Sequence, residues 1–237
     1  LLTLVGTPAQ RGRQQGLLLK KQIRTMIQKY AHGMIPRLLG SWKKAADAAR
    51  RMEPHLTPDL RTEMRALARA AGVTYEEILV LNTHIEVLML GCSSLVAQGR
   101  RTGGKTILGR NTDFPAPMFM RKMALIAVNK PARGTAWANV TYPGWLGIGT
   151  AMSAAGVAVT INGGSTTDKQ KACVPIMLLV RQALSGAISV AQLLSRIEKG
   201  RRCTGWLITA ADARGGQIAE LSARHAARRR PAKGLLM

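Results

Sequence analysis

The chain is 237 residues long, 46% hydrophobic and carries 24 glycines, enough for one large domain or two small ones with a substantial core. Its net charge of +23 invites a nucleic-acid reading, but the basic residues are scattered from Arg11 to Arg230, and only two Phe, three Tyr and four Trp are present to stack on bases. With no zinc-finger spacing or RNA-platform motif either, a specific nucleic-acid reader is not expected; a solvated basic surface, able to draw in acidic substrates or anionic membranes, is.

No apolar run is long enough to span a bilayer. No signal peptide is visible, which favours a cytoplasmic setting, although the chain opens at Leu1 rather than Met and its start is expected to be incomplete. The three cysteines, Cys92, Cys173 and Cys203, make no disulfide framework, and Cys173 and Cys203 read as small buried hydrophobes.

In chain order, the first ninety residues read as helical. Gln14 to Met34 is a long Lys/Arg-studded segment with apolar residues near helical spacing. Thr57-Pro58 is a cap followed by proline at the first helical position. Thr74-Tyr75-Glu76-Glu77 is a capping box opening the run through Ile78, Leu79 and Leu81, and the segment from Glu86 to Leu90 leads into Gly91. The texture then changes. Ser93–Ala97, Thr106–Leu108, Met123–Val128, Thr135–Tyr142 and Val157–Ile161 read as strands. Cys173-Val174-Pro175 opens a helix through Leu184, and Ser189 caps a second to about Lys199. Trp206–Ala210 and Gln217–Leu221 return to strand, and Ala226–Pro231 is a low-complexity patch. This order predicts a layered α+β domain.

The chemistry centres on Gly91-Cys92-Ser93-Ser94. A strand carrying Cys92, turning near Gly103-Gly104 and returning through Arg110 to Asp113, forms a hairpin that gathers a thiol, a cation and a carboxylate. A thiol nucleophile needs a base and a neighbour that tunes its charge. A strict period of two sets Arg110 and Asp113 on opposite faces, so both reach one site only if the strand bulges or ends near Asn111-Thr112. Asn162, before Gly163-Gly164, reads either as an oxyanion donor or as a turn former. His32, His55, His84 and His225 make no metal pattern, and a Cys92/His84 dyad is a fallback. Met118, Met120 and Met123, after Pro115-Ala116-Pro117, read as core filling before acyl-pocket lining.

The hairpin resembles the start of the mature catalytic chain in cysteine N-terminal-nucleophile hydrolases, and is most similar to the isopenicillin N acyltransferase (acyl-CoA:6-aminopenicillanate acyltransferase) family of autoproteolytic enzymes. Four further segments fit in order: Gly6-Thr7-Pro8 through Gly16, Ala154 through Gly164, Val174-Pro175 and Glu220-Leu221-Ser222. The Arg110-Asn111-Thr112-Asp113 run resembles that of penicillin V acylases and bile-salt hydrolases; the acyltransferase branch often has Gln at the position of Arg110, which tilts the reading toward amide hydrolysis.

The resemblance implies a four-layer αββα sandwich, here expected to be truncated at the C-terminus, because the family's oxyanion Asn after the Glu-x-Ser strand would fall beyond Met237. It implies self-cleavage between Gly91 and Cys92 into a helical pro-segment or α-chain (1–91) and a catalytic β-chain (92–237), which together form one domain. Cys92 is then the nucleophile and its own α-amine the base, with Arg110 and Asp113 catalytic and Asn162 and Gly163 at the oxyanion or substrate. The substrate expected is a small-molecule linear amide or acyl thioester. No cofactor and no metal are expected. The alternative is an inactive basic module on the same fold, binding nucleic acid or an anionic membrane surface.

Overall fold

Thr7 accepts a hydrogen bond from the Gln10 amide while the Gln10 side chain returns to the Thr7 amide, so the chain's first helix starts at a closed capping box. It is preceded by a strand that the sequence reading assigned to the helical half: β1 (Leu2–Gly6) buries Leu2 and Leu4 and pairs in parallel with β4 (Leu125–Pro131). The pattern is too short to announce itself, and long-range pairing supplies what propensity does not. The outer edge of β1 is covered from its own helix, where Gln14 both accepts from the Val5 N–H (2.8 Å) and donates to the Val5 carbonyl (3.0 Å).

This computed structural model describes residues 1–87, 91–113, 118–232 and 234–236. The expected long helix from Gln14 to Met34 is broken into α1 (Pro8–Leu18), α2 (Lys20–Thr25) and a π-helical turn (Met26–Ala31), followed by α3 (Ile35–Leu39). The wider turn buries Met26, Ile27, Tyr30 and Ala31 together. The helices α4 (Trp42–Met52), α5 (Pro58–Ala71) and α6 (Tyr75–Thr83) start at Ser41, at Thr57 with Pro58 in its first turn, and at the Thr74/Glu77 capping box. At Gly16, α1 and α5 approach closely: a Cβ there would lie 2.7 Å from the Leu67 carbonyl.

Beyond Gly91 the elements are β2 (Gly91–Ala97), β3 (Ile107–Asp113), α7 (Met118–Arg121), β4, β5 (Trp137–Thr141), β6 (Thr150–Ser153), β7 (Ala158–Gly163), α8 (Ile176–Leu184), α9 (Val190–Lys199), β8 (Trp206–Asp212), β9 (Gly215–Leu221), β10 (Ala226–Arg229) and β11 (Leu235–Leu236). They form an eight-stranded sheet in the order β1-β4-β5-β6-β7-β8-β9-β10 and a three-stranded sheet in the order β11-β2-β3. The low-complexity patch is thus an edge strand, fastened to its surroundings by the Arg228–Glu198 and Arg229–Glu220 ion pairs.

Period-two alternation divides the large sheet between two cores. Val159, Ile161, Trp206, Ile208 and Ala210 face the helices, in one cluster with Ile23, Met64, Leu67, Leu79, Leu178 and Leu194. Ala211 and Ile218 face the other way and pack with Val96 of β2 and Leu108 of β3. The fold is therefore an α+β sandwich in which helices cover one face of the large sheet and the hairpin sheet covers the other. The outer face of the hairpin carries exposed Leu95 and Ile107, and no helix covers it among the described residues. No helix is long and apolar enough to cross a membrane among those residues.

One expectation is corrected. Cys173 and Cys203, read as unpaired hydrophobes, are joined in a disulfide that ties the loop before α8 to the loop before β8. An odd cysteine count conceals a pair whose partners are 30 residues apart and become neighbours only in the fold.

Candidate active site

The β2–β3 ladder runs without a bulge from Gly91↔Asp113 to Ala97↔Ile107, with Cys92 opposite Thr112 and Ser94 opposite Arg110. Directly opposed residues share a face. Cys92, Ser94, Thr112 and Arg110 thus share the face that looks toward the large sheet, while Gly91, Ser93, Asn111 and Asp113 share the outer one. Cys92 is a free, partly exposed thiol.

Arg110 reaches across its own strand pair, and its Nη2 lies 3.3 Å from Cys92 Sγ. Its Nη1 donates to the Gly149 carbonyl (2.9 Å) and to Thr150 Oγ1 (2.7 Å) at the start of β6. These two acceptors fix the guanidinium between the sheets. No carboxylate neutralises Arg110 among the described residues, and its buried Nε has no partner there. Tyr142 stands near enough to feel this charge: burial pushes its hydroxyl pKa up, and Arg110 pulls it part of the way back.

Asn162, at the end of β7, is buried; its Oδ1 accepts a hydrogen bond from Ser94 Oγ (3.0 Å), which also contacts Thr160 Oγ1 (2.8 Å). The Cys92 strand and the Asn162 strand are therefore cross-linked two residues from Cys92. Ser94 was missed in the sequence, though counting by two from Cys92 points at it. Gly163 pairs with Trp206 and lines a cavity of about 420 Å³ shared with Glu86, Thr204, Lys169 and Arg51.

Asp113 is not brought to the sulfur. On the outer face its carboxylate accepts from Asn111 Nδ2 at 2.6 Å, and it stands opposite Gly91, on the far side of the Gly91–Cys92 peptide. His84 is also elsewhere: its Nε2 meets the Tyr30 hydroxyl (2.8 Å), its Nδ1 meets the Leu81 carbonyl (3.1 Å), and burial lowers its pKa to about 4. Met120 is fully buried, Met123 packs against the core and Met118 is exposed; Pro115-Ala116-Pro117 and Leu90 lie outside the described residues.

Residues 100–236, more than half of the chain, match the family described as acyl-coenzyme A:6-aminopenicillanic acid acyl-transferase. The chain belongs to this family. The match includes Arg110, Asp113 and Asn162 and begins after Cys92. Among curated proteins, an uncharacterized protein of Archaeoglobus fulgidus is 26% identical over 94% of this chain and 43% of its own length. Protein dcd1A of Dictyostelium discoideum is 26% identical over 83% and 52%. The chain thus spans about half the length of the curated relatives it matches. Among solved structures, the Caenorhabditis elegans ortholog of N-acylethanolamine-hydrolyzing acid amidase is similar at 18% identity, with a TM-score of 0.49 over 60% of this chain and 67% of that one. A variant of the conjugated bile acid hydrolase from Clostridium perfringens follows at 15% identity and a TM-score of 0.41, covering 61% of this chain and 52% of its own.

Proposed function

We propose that this family member is an autoproteolytic cysteine N-terminal-nucleophile enzyme that cleaves or forms a linear amide, or a thioester, through an acyl-cysteine. The observation that carries the reading is the Cys92 thiol, one residue after Gly91, held 3.3 Å from an arginine that no carboxylate neutralises among the described residues.

In self-cleavage, Cys92 Sγ attacks the Gly91 carbonyl carbon. The peptide C–N bond breaks, the thiol proton passes to the departing nitrogen, and a thioester links Gly91 to Cys92. Water hydrolyses the thioester, leaving a Gly91 carboxylate, a free thiol and a new α-amine on Cys92. The chain is then an α-chain of residues 1–91 and a β-chain of residues 92–237, still one domain. An α-amine with an ordinary pKa of about 7.7–8 takes the thiol proton near neutral pH. The thiolate attacks the substrate carbonyl, the amine or thiol leaves with that proton, and water or an acceptor amine releases the acyl group.

Arg110 stabilises the negative charge on sulfur. Asn162, whose Oδ1 is held by Ser94, keeps its amide nitrogen for the developing oxyanion, beside the Gly163 backbone. Asp113 takes the new α-amine once the peptide to Gly91 is cut, turning from Asn111 to do so. The substrate is a small-molecule amide or acyl thioester. Intact mass of the full-length protein tests the reading: a fragment beginning at Cys92 is expected, and Cys92→Ala is expected to stay whole. Cleavage that persists in Cys92→Ala would sink the mechanism.

A further inference from the structure

The residue that the proposed chemistry leaves unused is Glu86. It is buried at 7% exposure, it lies in the short 3₁₀ turn His84–Val87, and it belongs to the segment that self-cleavage separates from the catalytic chain. All its described partners come from the other side of the cut. Oε2 accepts from the Ile176 N–H at 2.8 Å, Oε1 from Trp206 Nε1 at 3.2 Å, and the Cys203 backbone N–H also donates to the carboxylate.

The first of these partners opens a helix. Pro175, at the N-cap of α8, offers no side-chain cap. A carboxylate 90 residues earlier in the chain fills that role, where the helix dipole favours negative charge. The second begins β8 and is paired with Gly163. The third belongs to the disulfide that staples the loops before α8 and β8. Glu86 therefore grips three points of the catalytic chain that are themselves fixed.

Gly91 lies five positions after Glu86, a chain reach of at most about 18 Å. The scissile peptide itself is held by the β2–β3 ladder, in which Gly91 and Cys92 are both paired, and by the contact from Arg110 to Cys92. We propose that Glu86 is a positioning residue for self-cleavage: it anchors the chain five residues before Gly91 while the β2–β3 ladder holds Gly91 and Cys92 themselves, and after the cut it keeps the α-chain docked on the β-chain. This rests on the self-cleavage reading above. Attack on a peptide carbonyl tolerates little misplacement, and an error of about 1 Å costs on the order of 10²-fold in rate.

The charged groups on the Glu86 cavity are Arg51 of α4 and Lys169 and Lys171 of the loop before α8, all exposed at its mouth. On its own turn, His84 is directed at Tyr30 instead. Burial raises the Glu86 pKa to about 7, so the carboxylate that accepts three N–H bonds forms as pH rises through neutrality.

The test is the self-cleavage rate of the full-length protein in Glu86→Gln and Trp206→Phe, followed by mass spectrometry across pH 5.5–8.5 (about 1.5 units either side of neutrality), with melting measured in parallel. Glu86→Gln is expected to cleave about 10- to 100-fold more slowly, a loss larger than any fall in melting temperature accounts for at a temperature where the variant stays folded. It is also expected to lose the rise in rate near pH 7 that the wild type shows. Trp206→Phe, which deletes one donor, is expected to lose less. If Glu86→Gln cleaves at the wild-type rate with an unchanged pH profile, the proposal is overturned while the self-cleavage reading stands. If Glu86→Gln does not fold, Trp206→Phe decides, and a wild-type rate there overturns the proposal. A wild-type protein that never cleaves overturns both readings.

Discussion

Arg181 and Arg110 both point between packed layers, and they are held in opposite ways. Arg181 shares Glu63 with Arg11: its Nη2 meets both Glu63 oxygens at 2.7 and 2.8 Å, Arg11 donates to Oε2 at 2.7 Å, and all three residues are at most 6% exposed. That cluster fastens α1, α5 and α8 together, with one carboxylate shared between its two cations. Arg110 has a carbonyl, a hydroxyl and a thiol for partners. A backbone carbonyl and a hydroxyl fix a guanidinium without neutralising it, so its field stays directed at the Cys92 sulfur, as the proposed chemistry requires. A buried cation tied to a carboxylate serves packing; Arg110, tied to neutral acceptors beside the Cys92 thiol, is left free for the role proposed for it.

The largest effect should come from breaking the first arrangement. Glu63→Ala strands two guanidiniums in the interior and is expected to lower unfolding free energy by about 3–5 kcal/mol, read by chemical denaturation. A loss near zero would mean that the cluster is not what holds the three helices.

Breaking the second arrangement should leave the fold standing and remove activity. Arg110→Ala is expected to cut kcat by about 10²–10³ with a far smaller change in KM, since the charge it stabilises is greatest in the transition state. Lysine restores the charge but not the three-point geometry, so Arg110→Lys should recover only part of the rate. Single-turnover acylation measures this, and wild-type turnover in Arg110→Ala would remove Arg110 from the site.

The contrast also explains what the sequence disclosed. Local chemistry was legible: Thr57-Pro58, the Thr74/Glu77 box, the Ser189 cap and the Gly103-Gly104 turn all act within four residues of themselves. The hairpin made Cys92 and Arg110 neighbours, and the period of two correctly warned that Asp113 faces away from Arg110. What could not be read depends on distant partners. β1 needs β4, the disulfide needs two loops to meet, and Glu86 finds Ile176 and Trp206 at separations of 90 and 120 residues.

A third way to sharpen the comparison uses pH, because two buried titratable groups lie two residues apart and shift in opposite directions. Burial lowers His84 from 6.5 to about 4, so the unfolded chain binds the extra proton between those values and His84 makes stability rise with pH there. Burial raises Glu86 from 4.5 to about 7, so the folded chain binds the extra proton and Glu86 makes stability fall as pH rises through that window. Between 4.5 and 6.5 the two slopes oppose and the wild-type contribution of this pair is expected to be nearly flat. Glu86→Gln should expose the His84 slope, about 1.4 kcal/mol of added stability per pH unit. Denaturation midpoints at pH 4.5, 5.5 and 6.5 check it, and an unchanged profile in the variant would show that one of the two groups does not titrate as its burial dictates.

The smallest expected effect probes the join between the cation and the proposed oxyanion donor. Ser94 is opposite Arg110 on the ladder and donates to Asn162 Oδ1, so it joins the thiol strand to the Asn162 strand through side chains. Ser94→Ala leaves the Arg110 contacts to Gly149 and Thr150 in place and frees the Asn162 amide to rotate. A neutral hydrogen bond of this kind is worth about 0.5–1.5 kcal/mol, which corresponds to roughly a 2- to 10-fold loss in kcat if Asn162 donates only to the transition state. Thr160 Oγ1, 2.8 Å from the serine oxygen, loses its partner too, so some loss of stability accompanies the change and must be measured separately. The discriminating experiment is the double variant with Asn162→Ala. If Ser94 acts through Asn162, adding Ser94→Ala to Asn162→Ala costs no further rate. Additive losses would mean that Ser94 serves the site by another route, and that the amide of Asn162 needs no help to point where it does.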